Sequence, residues 1–289
     1  MERNTLHVTF LITGATGDVG SRVVDLLLER GSRPRVFVRD LNKARTRFGD
    51  RVDFAQGNLS DAASLRAALH GVDALFLVNI GPEIPARDQA AAHAAQSAGV
   101  RKIVKLSSMD VEQGLAIGAW HERGEAAIRA SKIPFVFVQP TGFMSNLLAW
   151  SHSIRSEGVV RSSTGNGRRA FIHSADIAAV AVAALTMDDY LGQSLPITGP
   201  EAVSFPEVTE RIAAAIGKPL RFEAISDAEA LCRFSATGAS PAEVDAHIAL
   251  WRAIREDRLA GVTSNVERIL GRAPLSLDQW ISENAAAFQ

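Results

Sequence analysis

The chain of 289 residues is 47% hydrophobic with a formal net charge of −1. That is enough apolar material for one large or two modest domains, and too little basic charge for a nucleic-acid partner. The apolar run before Gly14 and the run Ala178 to Leu185 are both too short to span a bilayer, so no membrane partner is expected. A single cysteine, Cys232, excludes an intramolecular disulfide and a cysteine-clustered metal site. We expect a cytoplasmic protein in which Cys232 is a buried helical thiol.

In chain order, Val8 to Ile12 reads as a buried strand. It leads through Thr13 into Gly14-Ala15-Thr16-Gly17-Asp18-Val19-Gly20 and then a helix with the apolar stripe Val19, Val23, Leu26 and Leu27. Gly14 permits a sharp turn, Gly17 leaves bare backbone for a pyrophosphate, and Gly20 lets the helix pack close to the strand. Free amides and the helix dipole then make the helix start an anion site. The helix ends near Arg30-Gly31.

Arg35 to Val38 is the second strand, and its end is where the adenosine ribose is read. Arg39 with Lys43 one turn on suits the 2′-phosphate of NADP, whereas Asp40 facing the ribose would suit NAD. We expect NADPH. Val52 to Gln56 is the third strand, leaving through Gly57-Asn58-Leu59, where the Asn58 amide either meets the adenine edge or closes a turn. A helix from Ser60 or Asp61 and a fourth strand, Val72 to Val78, follow. Val78 and Asn79 open the exit placed along the cofactor. Next come an Ala-rich helix (Arg87 to Ala98), a fifth strand (Lys102 to Leu106) ending in Ser107-Ser108-Met109, and a helix carrying Trp120, His121 and Glu125. The sixth strand, Phe135 to Val138, exits through Gln139 and Pro140-Thr141-Gly142-Phe143.

This alternation predicts a Rossmann-like, doubly wound parallel α/β sheet with ligands at the carboxyl ends of its strands. Leu147 to Arg155 reads as helical, Gly165-Asn166-Gly167 as a turn, and Ser174 as the cap of a helix with Asp176 in its first turn. Leu195 to Thr198 is a last short strand, and Tyr190 before it is expected at the surface. From Ser204 the pattern is mainly helical, with one strand near Leu220 to Ile225. We therefore divide the chain into a cofactor-binding domain, 1–203, and a small substrate lobe, 204–289, with 144–172 contributing to the substrate pocket.

The stretch Thr13 to Gly20, the Gly57-Asn58-Leu59 exit, Ser107-Ser108 and Asp176-Ile177-Ala178 resemble the atypical short-chain dehydrogenase/reductases, and most of all their NmrA-like subgroup. That subgroup includes NADPH quinone reductases, triphenylmethane reductases and NADP-sensing regulators. The resemblance implies that Pro140 to Asn146 runs along the nicotinamide and that Ser107 or Ser108 stands where the family serine polarises a carbonyl. It also places His121 where the family lysine would stand. Asn58 departs from the usual aspartate, and Gln139 from the arginine that commonly precedes the proline.

The usual proton relay of this superfamily is a tyrosine with a lysine four residues on. Here the only tyrosine is Tyr190, followed four residues later by Ser194, so that relay is excluded. His121 can donate a proton, orient the ribose or hydrogen-bond substrate; it can equally be a helical histidine satisfied by its neighbours. Ser107 and Ser108 can stabilise developing negative charge, or merely close the strand end. Without a strong acid, an acceptor whose reduced form is weakly basic is favoured. We expect hydride transfer from NADPH to a quinone or conjugated aromatic, polyketide-like ketone. Met109, Trp120, Met144, Leu147 and Trp150 would line a site for a flat aromatic ligand, with His152 and His173 further candidates. The alternative is an NADP(H) redox sensor without turnover. The seven histidines show no metal-ligand spacing, no G-x-S-x-G elbow is present, and the oligomeric state is not legible.

Overall fold

The computed structural model describes residues 8–289; His7, counted above, lies outside them. The chain opens with β1 (Phe10–Thr13), α1 (Asp18–Glu29), β2 (Arg35–Val38), α2 (Leu41–Phe48), β3 (Asp53–Gln56), α3 (Ala62–Leu69), β4 (Ala74–Val78), α4 (Ile84–Ala98), β5 (Lys102–Leu106), α5 (Ala116–Ala130) and β6 (Phe135–Pro140). It continues with α6 (Ser151–Glu157), β7 (Val159–Ser162), β8 (Arg168–Ala170), α7 (Ser174–Thr186), β9 (Ser194–Ile197), β10 (Ala202–Ser204), α8 (Phe205–Ile216) and β11 (Arg221–Ala224). The remainder is helical: α9 (Asp227–Ser235), α10 (Pro241–Arg255), α11 (Asn265–Leu270) and α12 (Leu277–Asn284).

Seven strands form one sheet in the order β3-β2-β1-β4-β5-β6-β9, with every pair from β3 through β6 parallel. Covered on both faces by helices, the central strands carry near-continuous apolar runs, such as ALFLV in β4, whereas the edge strand β3 (DFAQ) is partly exposed. The order reverses between β1 and β4, which opens a crevice at their carboxyl ends. Thr13 clamps that point: the Val78 amide donates to Thr13 Oγ1 at 2.7 Å, and Thr13 Oγ1 donates to the Phe76 carbonyl at 3.1 Å. The expected Rossmann-like, doubly wound α/β class is therefore present.

The chain forms two compact units. One comprises the residues up to Ser107, Trp120–Gln139 and Ile177–Leu195; the other comprises Ser108–Ala119, Pro140–Asp176 and Pro196–Gln289. The core of the first sets Leu11, Leu75, Ile103 and Phe137 of the sheet against Leu65, Ala91 and Ile128 of the helices. The core of the second gathers Met144, Leu147, Phe171, Phe205, Ile212, Ile254 and Trp280. Here β8 pairs antiparallel with β10, and β11 pairs parallel with β7. Three of these strands, β7, β8 and β10, escape a sequence reading because VVRS, RRA and AVS carry no apolar alternation.

Other differences have local causes. The expected Leu147–Arg155 helix is split into a 3-10 segment, Met144–Trp150, and α6. Ser174 is the first helical residue of α7 rather than its cap. His173 does that work, its Nδ1 accepting from the Ala175 amide at 3.0 Å. Cys232 is exposed, because α9 buries only Ala230. Tyr190 is 8% exposed rather than at the surface, since the loop after α7 folds back so that the Gly192 amide bonds the Phe135 carbonyl.

The closest backbone approach at the glycine loop is testable. A Cβ on Gly20 would sit 2.2 Å from the Gly14 carbonyl oxygen, whereas one on Gly217, the left-handed cap of α8, would meet nothing within 4 Å. Gly20→Ala should destabilise the fold by about 3 kcal/mol or more. Gly217→Ala should cost about 1 kcal/mol, for its φ alone. Urea unfolding midpoints of the two variants decide this; equal shifts would contradict it.

Candidate active site

At the end of β1, Gly14 takes φ +61°, and its amide neighbours turn the chain so that the Gly17 N–H reaches the Gly14 carbonyl at 2.9 Å. Gly14 and Gly17 are exposed, Ala15, Val19 and Gly20 are buried, and α1 starts at Gly17 with no side-chain cap. Its first-turn amides are therefore open to an anion, which fits a dinucleotide pyrophosphate. Asp18 sets a negative charge in that turn, and Arg22 pairs with it at 3.2 Å. Val78 packs against Gly14, where a Cβ would lie 3.0 Å from that of Val78.

At the end of β2, Asp40 caps α2, its carboxylate accepting from the Lys43 amide at 3.0 Å. Capping commits Asp40 to the helix. Arg39 and Lys43 are exposed and make no side-chain hydrogen bond or ion pair among the described residues. On the β3 exit, a Cβ on Gly57 would press into Phe37 at 2.5 Å and Ser64 at 2.4 Å. Asn58 Oδ1 accepts from the Ser60 amide at 3.1 Å, which closes the turn, while the Asn58 amide donates to Ser64. Asn79 is 7% exposed, and its Nδ2 donates to Asp88 at 2.5 Å.

Two buried polar clusters follow in the first unit. Glu125, on α5, accepts from Ser107 Oγ at 2.6 Å and from Gln139 Nε2 at 2.8 Å on one oxygen, and from Arg129 at 3.1 Å on the other. This accounts for Gln139: its amide supplies a hydrogen bond while Arg129 supplies the positive charge. It also commits the Ser107 proton to a carboxylate, so in this arrangement Ser107 has none to offer a substrate. In the second cluster Lys105 pairs with Asp88 at 2.5 Å, both wholly buried. Gly124 makes room, since a Cβ there would sit 2.1 Å from Asp88 Oδ2. His121 is 8% exposed with its Nδ1 unpartnered. Burial, with help from the Lys105 charge, pushes its pKa from 6.5 down to about 3. His121 is thus a neutral imidazole near pH 7, which disfavours proton donation among the roles open to it and leaves hydrogen bonding to ribose or substrate.

In the second unit, Ser108 accepts from the Asp110 amide at 3.1 Å and so shapes the turn at Met109. Gly118 allows α5 to lie on this turn, with a Cβ there only 2.0 Å from the Asp110 carbonyl oxygen. The Thr141 amide bonds the Ile197 carbonyl, and Gly142 and Phe143 pair with Ile172, which fixes the Pro140–Phe143 segment. Met144 and Leu147 are buried in the core, and Trp150 packs edge-on against Phe205 at 5.0 Å. Trp120 and Met109 are half-buried. His173 bonds Glu283 at 3.1 Å, and His152 is exposed.

Sequence reasoning missed Arg169. It lies on β8 with 7% exposure, and its Nη2 is 3.6 Å from Asp110 Oδ1, beyond hydrogen-bond length. A Cβ on Gly142 would lie 2.5 Å from Arg169 Nε, so the guanidinium rests against bare main chain. Desolvation pulls its pKa below the usual arginine value, and Asp110 opposes that. Among the described residues no group of three or more His, Cys, Asp or Glu could hold a metal, and no helix is long and apolar enough to cross a membrane.

The His121 environment predicts an acid limb. Its folded pKa lies below that of the unfolded chain, so the unfolded state alone takes up a proton as pH falls from 6.5 toward 3, and stability drops across that window. Between about pH 7.5 and pH 4.5, His121→Gln should therefore lose about 2 kcal/mol less unfolding free energy than wild type. Urea titrations at the two pH values measure this; parallel losses would refute it.

Comparison with known proteins agrees with this geometry. A family model described as NAD(P)H-binding matches residues 14–188. The chain is 39% identical over 281 residues to (4-alkanoyl-5-oxo-2,5-dihydrofuran-3-yl)methyl phosphate reductase of Streptomyces griseus subsp. griseus, covering 96% of this chain and 98% of that one. It is 36% identical over 283 residues to the NAD(P)H azoreductase of Xenophilus azovorans, with 96% and 98% covered. In fold it is similar to the NADPH-dependent quinone oxidoreductase of Escherichia coli complexed with NADPH, with a TM-score of 0.85 at 22% identity over 95% of this chain and 99% of that one. The expected family is thereby shown, and the chain belongs to the NAD(P)H-binding, NmrA-like branch of the atypical short-chain reductases.

Proposed function

We propose that the protein is an NADPH-dependent reductase of quinones and related conjugated acceptors. The observation that carries this is that, among the described residues, the tyrosine, Ser107 and His121 are not placed to give up a proton. Tyr190 has no lysine four residues on and is buried, the Ser107 hydroxyl points its proton at Glu125, and His121 is neutral. An aliphatic ketone taking hydride becomes a strongly basic alkoxide that needs such a donor in the transition state. A conjugated acceptor becomes a stabilised enolate or hydroquinone anion, which water protonates afterwards. The names of the relatives support the same class, since an azo compound, a quinone and an oxo-dihydrofuran bearing an alkanoyl group are all conjugated acceptors.

In this reading the bound cofactor supplies the hydride. Gly14, Ala15, Thr16, Gly17, Val19 and Gly20 form the pyrophosphate cradle, with Asp18 contributing its amide. Arg39 and Lys43 hold the 2′-phosphate, a role Asp40 cannot contest while it caps α2. Gly57, Asn58, Leu59, Val78 and Asn79 border the adenosine and ribose, and Pro140 to Phe143 run along the nicotinamide. Residues of the second unit, including 144–172 and the chain beyond 204, receive the acceptor, with Met109 and Trp150 giving it apolar surface.

The reading is tested by following NADPH oxidation with quinones, azo compounds and unsaturated ring ketones against simple aliphatic ketones. Conjugated acceptors should turn over at least 100-fold more efficiently, given the missing acid. Cofactor binding with no oxidation across the panel would replace the reductase by a redox sensor. Arg39→Ala should weaken NADPH by about 10- to 100-fold, as expected for loss of a charge-assisted hydrogen bond, and leave NADH within about twofold. Equal loss for both cofactors, measured by fluorescence titration, would overturn the 2′-phosphate assignment.

A further inference from the structure

An acceptor reduced without a proton donor still builds negative charge on its oxygen, and something must balance that charge as it forms. The well-buried cations differ in what they have left to give. Lys102 is held by the carbonyl oxygens of Ala184, Leu185 and Met187 and by Asp188 at 2.6 Å. Lys105 is sealed against Asp88 with no exposure at all. Arg169 differs from both in its distance from a counter-charge: its ion-pair partner stands at 3.6 Å rather than in direct contact, and its side chain makes no hydrogen bond among the described residues.

Five N–H donors in a nine-tenths buried guanidinium would ordinarily find acceptors, because leaving them unmet is costly. Here Asp110 stands at 3.6 Å, close enough to balance charge and too far to accept a hydrogen bond. Asp110 Oδ1 and Arg169 Nε are both buried and unpartnered. Nε is enclosed beneath the Gly142 main chain, and the side chain as a whole keeps 9% of its surface accessible. The pair is held rigidly. Asp110 is fixed by Ser108 and by the close contact with Gly118, and β8 is fixed by β10 and by the Ile172 pairing to Gly142. A cation set in a rigid frame, neutralised in the resting state and with free donors at one edge, has the design of a site that waits for charge to appear.

We propose that Arg169 is a catalytic residue whose terminal N–H groups bind the carbonyl oxygen of the acceptor and stabilise the oxyanion formed on hydride transfer. This rests on the reductase reading above. In the step, the hydride bonds to an electrophilic carbon of the acceptor, and the displaced π electron pair moves through the conjugated system onto the oxygen. The cofactor is oxidised, the acceptor is reduced to an enolate or hydroquinone monoanion, and water delivers the proton after release. Asp110 keeps the guanidinium neutralised until that oxygen gains charge, so the site favours the reduced acceptor over the neutral one. Ser108 and Met109 lie on the same turn as Asp110, and Gly142 lies in the segment assigned to the nicotinamide.

The test has a binding arm and a turnover arm. In the first, 1-naphthols of graded acidity, which cannot be reduced, are titrated into the protein, and naphtholate absorbance is read. Wild type should bind the anion and shift ionisation of bound naphthol downward by at least one pH unit; Arg169→Ala should abolish the shift. In the second, Arg169→Ala should lower kcat/KM for quinones by about 100- to 1000-fold, the cost of losing an oxyanion donor. NADPH binding, read by fluorescence, should stay within about twofold, and added guanidinium ion should restore part of the lost rate. Naphthols that remain neutral when bound to wild type would overturn the proposal, and this arm needs no variant to fold. A quinone rate changed less than threefold would also overturn it, as would equal damage to NADPH binding without guanidinium rescue. If no acceptor is reduced yet wild type still ionises naphthols, the oxyanion site stands and the reductase reading falls.

Discussion

The approach of α1 to the turn after β1 is the contact on which the cofactor site depends. With glycine at position 20, the helix can lie so near the Gly14 carbonyl that any β-carbon would collide with it. That closeness aims the uncapped first turn of α1 at the mouth of the crevice where the strand order reverses. Thr13 then ties β1 to β4 at the same level, so the loop rests on a fixed floor. What this loop offers an anion is main chain, and side chains matter chiefly by being absent.

The buried charges divide into those the fold consumes and one it leaves open. Glu125 gathers Ser107, Gln139 and Arg129 and so joins the ends of β5 and β6 to α5. Asp88 and Lys105 join α4 to β5, with Asn79 completing one carboxylate oxygen. Such pairs gain little net stability over apolar packing, but once built they hold their neighbours in a single arrangement. Ser107 and His121 are examples: one is tied by its proton, the other kept neutral by its surroundings. Arg169 with Asp110 is set wider, at 3.6 Å, with its hydrogen bonds unmet, which is the ground of the role proposed for it.

Much of this was legible along the chain. The strand and helix alternation and the glycine loop follow from local pattern, because the central strands are buried on both faces and the helices mostly on one. Arg39 and Lys43 were readable from their place after β2, and the withdrawal of Asp40 follows capping preferences. Polar side chains behaved differently. Ser107, His121 and Asn79 lie at positions where a ligand would be expected, yet each has been claimed or modified by a partner on another element. Tyr190 and Cys232 exchanged their expected burial for similar reasons, one folded under by a loop and the other left outside by a helix that buries a single residue.

The amino-acid sequence by itself determined the α/β class, the glycine loop after the first strand and the lack of a Tyr–Lys relay, since these depend on residue type and short spacing. Only the tertiary structure decided which hydroxyl, imidazole and guanidinium remain available. A side chain's chemistry is set by what surrounds it, and the surroundings of Ser107, His121 and Arg169 come from segments that meet only when the chain has folded.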